Sequence, residues 1–226
     1  MGNAFRNFIY DVFYDLYTLI RFFYPMFKVI LASSSPRRSQ LLEWAEIPFE
    51  VIVKHSAEDY PPSLQAEGVP EYLAREKATL VWNSLHQEGD TKHLYEGTLP
   101  VVAADTEVIM DNVVFGKPAN REEAILFLKK LSGKTHKVVS GVAILHKGEM
   151  YSFSESTLVT FHQLEEDEIA RYVDKYGPYD KAGGYAIQEW IGVCGIKRIE
   201  GDFYNVMGLP ISRVHQKLKE LWEIAG

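Results

Sequence analysis

The stretch Lys28-Val29-Ile30-Leu31-Ala32-Ser33-Ser34-Ser35-Pro36-Arg37-Arg38 holds a strand, a hydroxyl-rich loop and the start of a helix. Residues 29–32 are an apolar run of the length that becomes a buried strand. Three serines cannot continue it, and Pro36 suits the first turn of a helix because its missing N–H would have no partner there. Leu41, Leu42 and Ala45 then fall on one side of that helix. A strand that empties into a helix N-terminus is the repeating unit of α/β folds. It also leaves backbone N–H groups facing an anion, and Arg37 and Arg38 add two guanidinium forks beside them. Taken alone, the segment reads equally well as a phosphate site and as a capped helix with two solvated arginines.

Working outward, residues 49–53 read as a second strand and 69–86 as a helix. The polar stretch 87–98 reads as a surface loop. Residues 99–104 form another apolar strand ending at Asp105, and Asp111-Asn112 marks a turn before a strand at 113–115. A helix over 121–131 follows Asn120, a natural cap. Residues 136–146 and 151–161 read as long strands joined around Lys147-Gly148. An acidic helix over 165–176, a strand over 192–199 and a closing helix over 212–225 complete the chain. With 226 residues, 46% apolar and 24% charged, this describes one α/β unit from residue 28 onward, built around one core and opening on a cleft.

A formal charge of -7 excludes a protein that coats nucleic acid, which needs a broad excess of Lys and Arg. The single cysteine, Cys194, cannot form an internal disulfide, which suits a reducing cytoplasm; its apolar and glycine neighbours predict a small core residue. Residues 1–27 stand apart as an amphipathic helical extension: Phe5, Phe8, Ile9, Val12, Leu16, Leu19, Ile20 and Phe23 recur at helical spacing. Asp11 and Asp15, with Arg6 and Arg21, argue against a bilayer span. Three readings stay open for this segment: packing on the body or a partner, contact with a membrane surface through residues 1–25, or a true start at Met26. A homodimer is open as well.

Asp105 is the first candidate for chemistry, because an acid at the carboxyl end of a buried strand stands where α/β sheets expose their functional groups. It could hold Mg²⁺ or orient a water for attack on phosphorus. Lys77 in Ala-Arg-Glu-Lys-Ala, Lys117 in Gly-Lys-Pro and Lys181 in Asp-Lys-Ala-Gly sit in distinctive short motifs rather than charged runs. Singly, each would be a surface charge. Converging on one carboxylate, they would describe a site for a triphosphate and a metal.

Read together, these pieces make residues 28–220 resemble the Maf family of nucleotide pyrophosphatases. The matching motifs begin with Ser-Pro-Arg-Arg at 35–38, Ala-Arg-Glu-Lys-Ala at 74–78, Ala-Asp-Thr at 104–106 and Gly-Lys-Pro at 116–118. They continue with Leu-Ser-Gly-Lys-Thr-His at 131–136, Asp-Lys-Ala-Gly through Tyr-Ala-Ile-Gln at 180–188, and Val-Met-Gly-Leu-Pro at 206–210. The resemblance implies two α/β lobes around a central cleft on a long mixed sheet, in the manner of inosine triphosphate pyrophosphatases, with residues 28–226 as the domain. It implies hydrolysis between the α and β phosphates with a divalent cation, Mg²⁺ or Mn²⁺. By the same resemblance Asp105 accepts the proton of the attacking water and Glu58 joins it at the metal. Ser33, Arg38, Lys77, Lys117 and Lys181 would bind the substrate. Arg37, Thr106 and Gln188 stand where the family distinguishes bases, in the pattern of its dTTP and UTP enzymes. A physical reason supports Gln188: an amide both donates and accepts, matching the O4 and N3–H edge of thymine or uracil. A second reading of the same cleft is a non-catalytic nucleotide-binding regulator of cell division, a process with which the family has been linked.

Overall fold

The computed structural model describes residues 28–55, 57–87 and 99–223. The amphipathic segment 1–27, most of the loop expected at 87–98 and the last residues of the closing helix lie outside them. Seven strands form one mixed sheet, made of β1 (Val29–Leu31), β2 (Phe49–Val51), β3 (Val101–Met110), β4 (Val113–Phe115), β5 (Thr135–His146), β6 (Glu149–Phe161) and β7 (Ile196–Glu200), in the order β2-β1-β3-β5-β6-β7. β1 pairs in parallel with β2 and β3, and every later pairing is antiparallel. Among the described residues, helices α1 (Pro36–Trp44), α2 (Val69–Gln87), α3 (Arg121–Leu131), α4 (Glu166–Tyr176), α5 (Trp190–Gly195), α6 (Phe203–Met207) and α7 (Ile211–Glu223) cover it.

Local chemistry accounts for the element ends. Asn120 Oδ1 accepts from the Glu123 N–H at 2.9 Å and starts α3. Gly177, in the left-handed region at φ 52°, ends α4. Lys147 and Gly148 both take positive φ, 50° and 80°, which is the turn that matches the twist of the β5–β6 hairpin.

Alternation along the strands sorts the core into three clusters. Val29, Leu31, Val102, Ala104, Val142 and Ile144 meet α1 and α7 on one face. On that same face, farther along the strands, Val108, Val138 and Val159 meet α3 and α4. Ile30, Val101, Ala103 and Ala143 point the other way, onto α2. The long strands β3, β5 and β6 therefore carry both lobes, and the cleft opens at the edge of β3 where the clusters meet.

Three expectations are corrected. β3 does not end at Asp105; it runs five residues further, because β5 pairs with it continuously from Val101 to Ile109. Residues 192–199 are not one strand: α5 occupies Trp190–Gly195 and β7 begins only at Ile196, since an apolar run this short has no decisive period. Cys194 is exposed rather than packed in the core.

Candidate active site

The site is built on a gap in a strand edge. β5 occupies one edge of β3 along almost its whole length. On the opposite edge β1 pairs only with Val101 and Val102, and β4 only with Val108, Ile109 and Met110. Residues 103–107 lie between these partners, so a cleft opens there that draws side chains from both faces of the sheet. The carboxyl end that matters is thus that of β1, where the Ser33 to Ser35 loop turns into α1.

From the α2 face comes Asp105, only 7% exposed. Its Oδ1 lies 2.6 Å from Lys77 Nζ, and the same ammonium lies 2.8 Å from Glu58 Oε1. The hydrogen bond from Lys77 holds the Glu58 carboxyl below its ordinary value. From the other face comes Thr106. Arg38 of α1 reaches across to it, donating from NH2 to Thr106 Oγ1 at 3.2 Å, from NH1 to Ser33 Oγ at 2.9 Å and from Nε to the Gly208 carbonyl at 2.9 Å. All three acceptors are neutral. Burial lowers the pKa of this guanidinium, and the Asp105 charge opposes that shift.

The far wall comes from the segment after α4. Lys181, 8% exposed, lies 2.7 Å from Asp180 Oδ1 and 3.5 Å from Glu189 Oε1. Arg37 NH1 bridges the cleft to Asp180 Oδ2 at 3.2 Å. Gln188 and Lys117 are both exposed and line the cavity. That cavity measures about 640 Å³ and is bounded by all ten residues singled out in the sequence: Ser33, Arg37, Arg38, Glu58, Lys77, Asp105, Thr106, Lys117, Lys181 and Gln188. A volume in this range accommodates a nucleotide.

The donor set fits a hard divalent cation. Lys77 Nζ, within 2.8 Å of both Glu58 Oε1 and Asp105 Oδ1, draws the two carboxylates to one end of the cleft, and carboxylate oxygens are the ligands such a cation takes. Among the described residues no group of three or more His, Cys, Asp or Glu forms a complete metal cage. Two carboxylates with the remaining positions left to phosphate oxygens and water is the usual arrangement for Mg²⁺.

Three residues that stand behind the lining escaped the sequence reading. Ser140, fully buried, donates to the Asn205 carbonyl at 3.1 Å and meets Thr106 Oγ1 at 2.8 Å. Its one proton goes to Asn205, while the Thr106 hydroxyl has both Ser140 Oγ and the Gly208 carbonyl, 3.3 Å away, as acceptors and itself accepts from Arg38. Glu107 shares the strand face of Asp105, and burial together with the Asp105 charge pushes its carboxyl up to about 8. Alternation would have found it had the strand been extended past Asp105. His136 sits behind the wall residue Tyr185, with Nε2 2.7 Å from the phenol oxygen, and burial brings the imidazole down to about 4.

That depressed value has a consequence for stability. The unfolded chain protonates His136 near pH 6.5 while the folded chain resists until about 4. The stability tied to the neutral ring is therefore complete above about pH 6.5 and is lost as pH falls towards 4, by about 3 kcal/mol in all. Denaturant unfolding between pH 7 and 4 should show a loss that is smaller by about this amount in His136→Gln, provided the pH-dependence of the other groups is common to both proteins.

Comparison with known proteins gives the family. The family described as Maf-like protein matches residues 28–221. The dTTP/UTP pyrophosphatase of Porphyromonas gingivalis is 48% identical over 198 residues, covering 87% of this chain and 96% of that protein. Those of Phocaeicola vulgatus and Cytophaga hutchinsonii are 45% and 43% identical, each covering 86% of this chain, and 96% and 84% of their own lengths. Among solved structures, the Ham1 protein of Staphylococcus aureus matches with a TM-score of 0.38 and 13% identity, covering 59% of this chain and 71% of that one.

Proposed function

Since the chain belongs to the Maf-like protein family, we propose that it is a nucleoside triphosphate pyrophosphatase that converts dTTP and UTP to the monophosphate and pyrophosphate. The carrying observation is the meeting of Asp105, Glu58 and Lys77 in a cavity that also holds Arg38 and Lys117. The names of three relatives at 43–48% identity support the substrate class.

In this mechanism Asp105 takes the proton of a water aligned on the α-phosphorus. The water oxygen bonds to that phosphorus, the bond from phosphorus to the bridging oxygen breaks, and pyrophosphate leaves with the electron pair. Lys77 orients the base through its Oδ1, leaving Oδ2 for the proton. Arg38 and Lys117 form no ion pair among the described residues, so their charge is available to spread the negative charge developing on the leaving group. Glu58 and Asp105 would hold the divalent cation. When bound, that ion screens the phosphates and polarises the bond to be cut.

Gln188, projecting into the cavity, reads the base by donating to O4 and accepting from N3–H. A carboxylate there cannot donate. Gln188→Glu should lower kcat/KM for dTTP by about 10- to 100-fold, the loss of one good hydrogen bond plus an unpaired acceptor, while the melting temperature stays put. An unaltered preference across a panel of thymidine, uridine, cytidine and guanosine triphosphates would rule out this role. The same panel, assayed for pyrophosphate release with Mg²⁺, tests the enzyme against a purely nucleotide-binding regulator, which has no evident need for a water-orienting acid.

A further inference from the structure

The cations of the cleft divide into two electrostatic classes. Lys77 is engaged by two carboxylates, Glu58 and Asp105, one positive charge against two negative ones. Arg37 and Lys181 are balanced by Asp180 and Glu189, two positive charges against two negative ones within one connected cluster. Arg38 bonds only neutral acceptors, and exposed Lys117 has no ion pair among the described residues. A triphosphate is drawn to cations that no salt bridge already engages. The phosphates therefore belong with Arg38 and Lys117, and the Arg37–Asp180–Lys181–Glu189 cluster belongs to the nucleoside end, where Gln188 immediately precedes Glu189.

Residues 186–189 form a turn closed by the Glu189 N–H donating to the Ala186 carbonyl at 3.1 Å. Its two central residues diverge: Ile187 is buried and Gln188 projects into the cavity. Both ends of the turn are held by one side chain. The Tyr172 hydroxyl, on a fully buried residue of α4, donates to Glu189 Oε2 and accepts from the Ala186 N–H at 3.2 Å. Gly192 tightens the same place, since a Cβ there would lie 1.8 Å from the Ile187 carbonyl oxygen.

We propose that Tyr172 and Glu189 are a positioning pair for base selection, clamping the 186–189 turn so that the Gln188 amide meets the pyrimidine edge and holding Lys181 at that end of the cleft. This rests on the reading of Gln188 given above. Burial and the bond to Glu189 push the phenol's pKa upward, so Tyr172 remains a donor throughout the working range. The pair touches neither Asp105 nor Arg38, so it sets which nucleotide is taken rather than how fast the anhydride is cut.

The test compares kcat and KM for dTTP and dGTP in Tyr172→Phe, Glu189→Ala, Glu189→Gln and Gln188→Ala, with pyrophosphate inhibition as a probe of the phosphate end and thermal melts as a check on folding. Tyr172→Phe and Glu189→Ala should each lower the dTTP to dGTP ratio of kcat/KM by about tenfold, chiefly through KM for dTTP. Pyrophosphate inhibition should stay within about twofold of the parent. Glu189→Gln keeps an acceptor for the phenol and should recover part of the ratio that Glu189→Ala loses. A wild-type ratio in Tyr172→Phe and Glu189→Ala, alongside a lost ratio in Gln188→Ala, would overturn the clamp and leave the reading of Gln188 standing. A wild-type ratio in Gln188→Ala would overturn that reading, and the clamp with it. Equal weakening of pyrophosphate and dTTP would also overturn the proposal, because it marks a general loosening of the cleft.

Discussion

Asp105→Asn should fold as the parent does and lose about 10²- to 10⁴-fold in kcat on dTTP, the range a positioned general base contributes. The substitution keeps the planar shape, so the strand pairing to Gly141 is undisturbed. What it removes is the capacity to accept the water's proton and the charge facing Lys77, 2.6 Å away. Lys77 retains Glu58 at 2.8 Å, so the ammonium is not stranded. With Mg²⁺ saturating, so that the loss of one carboxylate toward the cation is offset, KM should move little, since Arg38 and Lys117 are untouched. Steady-state pyrophosphate release beside a circular dichroism melt decides the matter: turnover within about tenfold of the parent in a folded protein would remove Asp105 from the chemistry.

Gly141→Ala should be nearly as damaging, although residue 141 belongs to no catalytic motif. A Cβ at this position would stand 2.0 Å from the Glu71 backbone nitrogen and 2.2 Å from the Pro70 carbonyl carbon. Restoring ordinary contact requires the start of α2 to retreat by about 1.5 Å, and crowding of this kind costs about 1–3 kcal/mol. The helix start cannot yield freely, because Ser152 and Ser154 donate to the Glu71 carboxylate at 2.7 and 2.9 Å. Lys77 lies less than two turns along the same helix, and Asp105 is the ladder partner of Gly141. The retreat therefore pulls the ammonium from the carboxylate it orients. A displacement near 1 Å can cost about 10²-fold in rate, so we expect a loss of that order together with a lowered melting temperature. An alanine variant with parental stability and turnover would mean that the α2 contact is slack.

Much of this arrangement could be read from residue order, and the exceptions have physical causes. The β1–loop–α1 unit was legible because the apolar run, the serines and Pro36 all point to the same boundary, and the β5–β6 hairpin because Lys147-Gly148 tolerates the backbone its turn demands. Asp105 was found, but as a strand end, since polar Thr106 and Glu107 interrupt the apolar run. Only the partner strand β5, more than thirty residues on, reveals that the ladder continues. Glu107 was lost with the same error. The ten candidate residues share one cavity, yet nothing local in the motifs around Arg37 and Lys181 discloses that their charges are already balanced. Arg37 meets Asp180 across 143 positions of chain, a pairing that no periodicity encodes. Cys194 was misjudged because the neighbouring glycines suggested a packed strand, whereas α5 turns this residue outward.

The three long strands that pass unbroken beneath both helical clusters also constrain how a nucleotide can come and go. Walls riveted to a single slab cannot swing apart as jaws do, because spreading them would mean bending three hydrogen-bonded ribbons at once. The sides that ride on the slab thus keep their spacing through it, and the part of the rim free of that tie is the span of Val53, Lys54, His55, Ala57 and Glu58.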